Sequence, residues 1–65
     1  MIETIAAELG AAAEAITDYQ RRVGALAGRI GTEHDDLVTA IYEAERSLGV
    51  AERSIRRALK VASKG

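Results

Sequence analysis

Residues 2–30, IETIAAELGAAAEAITDYQRRVGALAGRI, decide the fold. Their apolar side chains Ile2, Ile5, Leu9, Ala12, Ile16, Tyr19, Val23, Leu26 and Ile30 follow one another at steps of three and four without a slip. That alternation is a heptad repeat, which lays one apolar stripe along a helix. A strand cannot produce it, because strand side chains alternate with a period of two. The stretch predicts a helix over about residues 2–30, roughly 42 Å long at a rise of about 1.5 Å per residue.

The same stepping returns in Leu37, Ile41, Ala44, Leu48, Ala51, Ile55, Ala58 and Ala62 and predicts a second helix over about residues 36–63. The linker between them, residues 31–35, is short and polar. Gly31 suits a left-handed residue after a helix end. Asp35 or Asp36 suits the cap of the next helix, where negative charge meets the positive end of the dipole. So short a connection brings the helices side by side and antiparallel. The expected fold is all-α: one domain over residues 1–65, a coiled-coil-like two-helix antiparallel hairpin. If position i faces 67 − i, Ile30 meets Leu37, Leu26 meets Ile41, Tyr19 meets Leu48 and Ile16 meets Ala51. In the outer half of the hairpin each layer sets a large residue against alanine, which lets helices interdigitate closely.

A second apolar column, Ala6, Ala13, Gln20, Ala27, Val38 and Leu59, runs beside the first. The apolar face is therefore wider than one seam, and a lone hairpin covers only part of it. Self-association is expected, most simply two hairpins forming a four-helix bundle. Gly10, Gly24, Gly28 and Gly49 fall inside the helices and cost about 1 kcal/mol each relative to alanine, so packing rather than propensity has to hold them. Gly24-x-x-x-Gly28 has the form of a close-approach motif, and in a soluble helix it reads as tolerated small residues.

Composition narrows the function. The chain has 65 residues, no Cys, no Pro, a net charge of −1, and Tyr19 and Tyr42 as its aromatics. No disulfide framework and no thiolate metal site can be built. The first residues are acidic where a secretory signal is basic, and no apolar run approaches the ~20 residues of a membrane span. A cytoplasmic protein with no membrane association is expected. His34 stands among Glu33, Asp35 and Asp36, but the spacing matches no zinc or calcium loop, and a hairpin tip excludes no water. The serines and threonines have no base placed to activate them. Neither catalysis, nor a cofactor, nor a metal is expected.

Charge is distributed unevenly. Residues 1–20 carry Glu3, Glu8, Glu14 and Asp18 and no base. Residues 46–65 carry Arg46, Arg53, Arg56, Arg57, Lys60 and Lys64 against Glu52. Antiparallel helices set these segments beside each other, with each sign at the helix end its dipole favours. Arg53, Arg56, Arg57 and Lys60 also form a connected patch, since helical neighbours stand three and four apart. Such a patch either neutralises the acidic half of the first helix or meets phosphates.

Residues 41–60, IYEAERSLGVAERSIRRALK, resemble a bacterial helix-turn-helix motif, with Ala44, Leu48, Gly49, Val50, Ile55 and Ala58 at its small or apolar positions. Glu45 departs from the pattern, where that family places alanine. The resemblance implies a turn at Gly49 and a recognition helix from about Ala51 to Ala62, with Ala51, Glu52, Arg53, Arg56 and Arg57 toward the major groove. Two functions are therefore expected in order. The first is a non-catalytic assembly or protein-interaction module, whose partner is a second copy or a helix of another protein. Its contact residues would be Ile5, Leu9, Ile16, Tyr19, Val23, Leu26, Ile41, Leu48, Ile55 and Leu59. The second is a DNA-binding regulator using residues 41–62, with nucleic-acid contacts from Arg53, Arg56, Arg57 and Lys60.

Overall fold

The computed structural model describes residues 1–64. Helix α1 spans Ile2–Ala27 and helix α2 spans Asp35–Lys64, with a single 3-10 turn at Thr32–His34 between them. The two helices pack along their length as an antiparallel hairpin with extents of 51 × 14 × 11 Å. The radius of gyration is 15.2 Å, against about 11 Å for a compact chain of this size. The protein is a rod.

The connection differs from expectation in two ways. Helix α1 ends at Ala27, three residues early, because its last turn tightens. Gly28, Arg29 and Ile30 donate their backbone N–H groups to the carbonyls of Ala25, Leu26 and Ala27, three residues back rather than four. This 3-10 winding satisfies terminal carbonyls that a left-handed glycine would otherwise cap. Gly31 accordingly is not left-handed. It is extended, with φ −75° and ψ 164°, and carries the chain onward to His34, whose N–H bonds back to the Gly31 carbonyl. Asp35 and Asp36 fall inside the first turn of α2, where they set negative charge on its positive end.

The register also differs. Gly10 lies beside Leu59, Gln20 beside Gly49 and Gly24 beside Glu45, so position i faces 69 − i rather than 67 − i. The cause is side-chain size. The seam is made by Leu9, Ile16, Val23 and Ile30 together with the small column Ala6, Ala13 and Ala27, instead of the bulky column Ile5, Tyr19 and Leu26. Small residues let the backbones approach, and the fully or nearly buried positions are Ala13 at 0% exposure, Ala27 at 6% and Gly49. From α2 the seam takes Val38, Ile41, Leu48, Ile55, Leu59 and Ala62, all partly buried. Helix α2 continues without interruption through Gly49, and Val50 beside it is exposed. A turn there, as the helix-turn-helix resemblance implies, is absent.

Candidate interaction face

Four contacts between the helices fall on one flank of the hairpin. Gly10 meets Leu59, Gly24 receives the Glu45 carboxylate, and Gly49 receives the Gln20 amide. On the same side the Arg56 guanidinium bridges Glu52 of its own helix and Glu14 of α1, the latter at 3.4 Å. Glu52 first and then Glu14 raise the Arg56 guanidinium above its ordinary range. This flank is formed mainly by glycines and polar side chains, with the exposed Tyr42 one heptad before Gly49.

The opposite flank is open. One helical step from the seam, α1 carries Ile5, Ala12, Tyr19 and Leu26, and α2 carries Leu37, Ala44, Ala51 and Ala58. In an antiparallel pair, columns on the same side of each seam lie on the same face of the hairpin, so these eight form one apolar strip. Ile5 is 44% exposed, Tyr19 53%, Leu26 45% and Leu37 51%. Arg22 stacks over the Tyr19 ring, 5.1 Å from its centroid, and lines a shallow groove with Val23, Leu26 and Arg29. Of these eight residues all are exposed except Ala51, which is partly buried.

The sequence-derived contact residues thus divide. Leu9, Ile16, Val23, Ile41, Leu48, Ile55 and Leu59 lie partly buried between α1 and α2. Ile5, Tyr19 and Leu26 lie on the open strip, where they stand exposed. What periodicity missed is the central lock of Gln20, Gly24, Glu45 and Gly49. Each helix has a long polar side chain at a seam position followed four residues later by glycine, and each such side chain seats over the glycine opposite. The paired spacing Gln20-x-x-x-Gly24 and Glu45-x-x-x-Gly49 was visible in the sequence as a signal.

Comparison with known proteins finds no matching family model, no matching curated protein and no matching solved structure.

Arg53 reaches the glycine-lined flank as well, its Nη1 3.6 Å from a Cβ built on Gly49. Of the basic patch, Arg56 is engaged with Glu14 and Glu52, whereas Arg53, Arg57 and Lys60 make no ion pair among the described residues. Arg21 pairs with Asp18 at 3.3 Å. At the tip, His34 Nε2 stands 3.9 Å from Glu33 Oε1, both exposed. Neither helix is long and apolar enough to cross a membrane.

Proposed function

We propose that the protein is a non-catalytic assembly module that self-associates through the open strip of Ile5, Tyr19, Leu26 and Leu37. One observation carries this reading: among the described residues only Ala13, Ala27 and Gly49 are buried. Among the described residues no large apolar side chain is fully buried. The exposed surface is 4918 Å², against about 4,000 Å² for a compact monomer of this mass. The excess, roughly 900 Å² per chain, is close to the ~800 Å² each partner buries in a standard interface. A second hairpin laid on the strip makes a four-helix bundle and supplies the missing core. Charge fits as well. Each helix is acidic in its first half and basic in its second, so antiparallel neighbours in a bundle meet with opposite sign.

Sedimentation at micromolar concentration tests it. A dimer is expected, and Leu26→Glu disperses it by burying an unpaired carboxylate. A wild-type chain that stays monomeric and fully helical refutes the proposal.

A second reading, DNA binding through residues 41–62, draws support from the unpaired Arg53, Arg57 and Lys60. With α2 straight through Gly49, these would act as a cationic stripe on phosphates rather than as a docked recognition helix. It requires salt-sensitive retention of duplex DNA that is lost on joint Arg53→Glu and Arg57→Glu substitution. Absence of retention at low salt, where the phosphate attraction is greatest, sinks it.

A further inference from the structure

Resting on the self-association proposed above, we infer that two copies dock with their loops at the same end. Tyr19 and Leu26 of each chain then lie against Ala51 and Ala44 of the partner subunit. The open strip is asymmetric: its α1 column is bulky (Ile5, Tyr19, Leu26) and its α2 column beyond Leu37 is alanine (Ala44, Ala51, Ala58). Two symmetric ways exist to lay one strip on another with every neighbouring helix antiparallel.

A two-fold axis along the rod sets α1 on the partner's α2 and puts both loops at one end. The partner's α2 then stands at the same height as the chain's own, so the relation i to 69 − i carries over. Leu26 falls level with position 43 and meets Ala44, Tyr19 falls level with position 50 and meets Ala51, and Ala12 falls beside Ala58. Both inter-chain seams are identical, and each pairs large with small at Leu26–Ala44 and Tyr19–Ala51 and alanine with alanine at Ala12–Ala58.

A two-fold axis across the rod instead sets α1 on α1 and α2 on α2, with loops at opposite ends. One seam would then stack Ile5, Tyr19 and Leu26 on one another, while the other would stack alanine on alanine. Interaxial distance follows the side chains at the contact, from about 8 Å for small residues to about 10 Å for large ones. Within each hairpin the Gln20–Gly49 and Glu45–Gly24 contacts join the two helices, so two seams of unlike width would require the hairpins to tilt against each other as rigid pairs. Without that tilt one seam is left with voids or the other overpacked, whereas two identical seams need none.

Charge does not separate the two arrangements, since both set acidic halves beside basic halves. Loops at one end do bring Glu33, Asp35 and Asp36 of two copies together. All three are exposed, and such charges are screened beyond a Debye length of about 8 Å at physiological salt.

The chain has no cysteine, so Thr32→Cys gives a single spin-label site in the exposed tip, off the strip. Dipolar distances between labels in the dimer are expected to be short, a small part of the 51 Å rod length. A dimer with labels separated by nearly that length overturns the orientation while leaving self-association standing. A monomer by sedimentation overturns both. Mixing Tyr19→Cys chains with Ala51→Cys chains under oxidation gives a second measurement. A cross-linked heterodimer in excess over the Tyr19→Cys homodimer is expected, and the reverse preference refutes the arrangement.

Discussion

The Gln20 side chain lies over the backbone of Gly49, so that a Cβ built on Gly49 would stand 2.8 Å from Gln20 Nε2. Its counterpart, Glu45 over Gly24, runs in the opposite sense, with a Cβ on Gly24 only 2.5 Å from Glu45 Oε2. Two polar side chains therefore occupy seam positions where apolar ones would bury more area, and two glycines are seats rather than tolerated gaps. Polar residues at seam positions fix register at a cost in stability. Gly49→Leu is expected to lower stability by about 1–3 kcal/mol through overpacking. Gln20→Ala in the same chain should recover part of that loss. A double-mutant cycle by urea unfolding measures the coupling, and additive effects would show that the seat does not exist.

Gly10 has no such occupant. A Cβ there would meet Leu59 Cδ2 at 3.9 Å, ordinary van der Waals contact. Gly10→Ala should stabilise by about 1 kcal/mol through helix propensity. That corresponds to roughly 4–8 °C in Tm for a domain of this size. Gly24→Ala should gain less, because the Glu45 carboxylate must swing away first. Thermal melts followed by circular dichroism compare the two directly.

Neighbouring alanines should behave oppositely. Ala13 is at 0% exposure where the helices touch, whereas Ala12 sits on the open strip. Ala13→Leu is expected to cost about 1–3 kcal/mol by forcing the helices apart. Ala12→Leu should leave the hairpin's own stability within about 0.5 kcal/mol. Urea titration of dilute protein separates the pair, and equal losses would contradict the register.

Stability should rise with protein concentration if the strip is covered by a second copy, because association draws the equilibrium toward the folded chain. Melting curves over a wide concentration range check this. A Tm independent of concentration would mean that the hairpin folds alone.

The Glu3 carboxyl is held below the usual carboxylate range, first by hydrogen bonding to its own backbone amide and then by the Met1 ammonium, 3.3 Å away. A carboxylate depressed on folding stabilises above its unfolded pKa, and that contribution is lost as pH falls through its folded pKa. Acid titration should therefore lower Tm in that window, and Glu3→Gln should remove Glu3's share. The effect is small, since the group is exposed, and it should shrink with salt. Arg56, raised from a range already above physiological pH, adds no pH dependence there.

Helix existence, helix direction and the breadth of the apolar face were settled by the amino-acid sequence alone, because steps of three and four between apolar residues are compatible with no other local structure. The acidic first half and basic second half of each helix likewise declared the antiparallel pairing. Tertiary structure alone decided which of two adjacent columns closes the hairpin. Ile5, Tyr19 and Leu26 and their neighbours Ala6, Ala13 and Ala27 both have the period of a seam, and periodicity cannot rank them. Close backbone approach at Ala13, Ala27 and Gly49, with Gln20 and Glu45 seated over glycines, favours the small column. That choice turns the bulky column outward, and it is why Ile5, Tyr19 and Leu26, which the sequence alone would place in the seam, stand about half exposed.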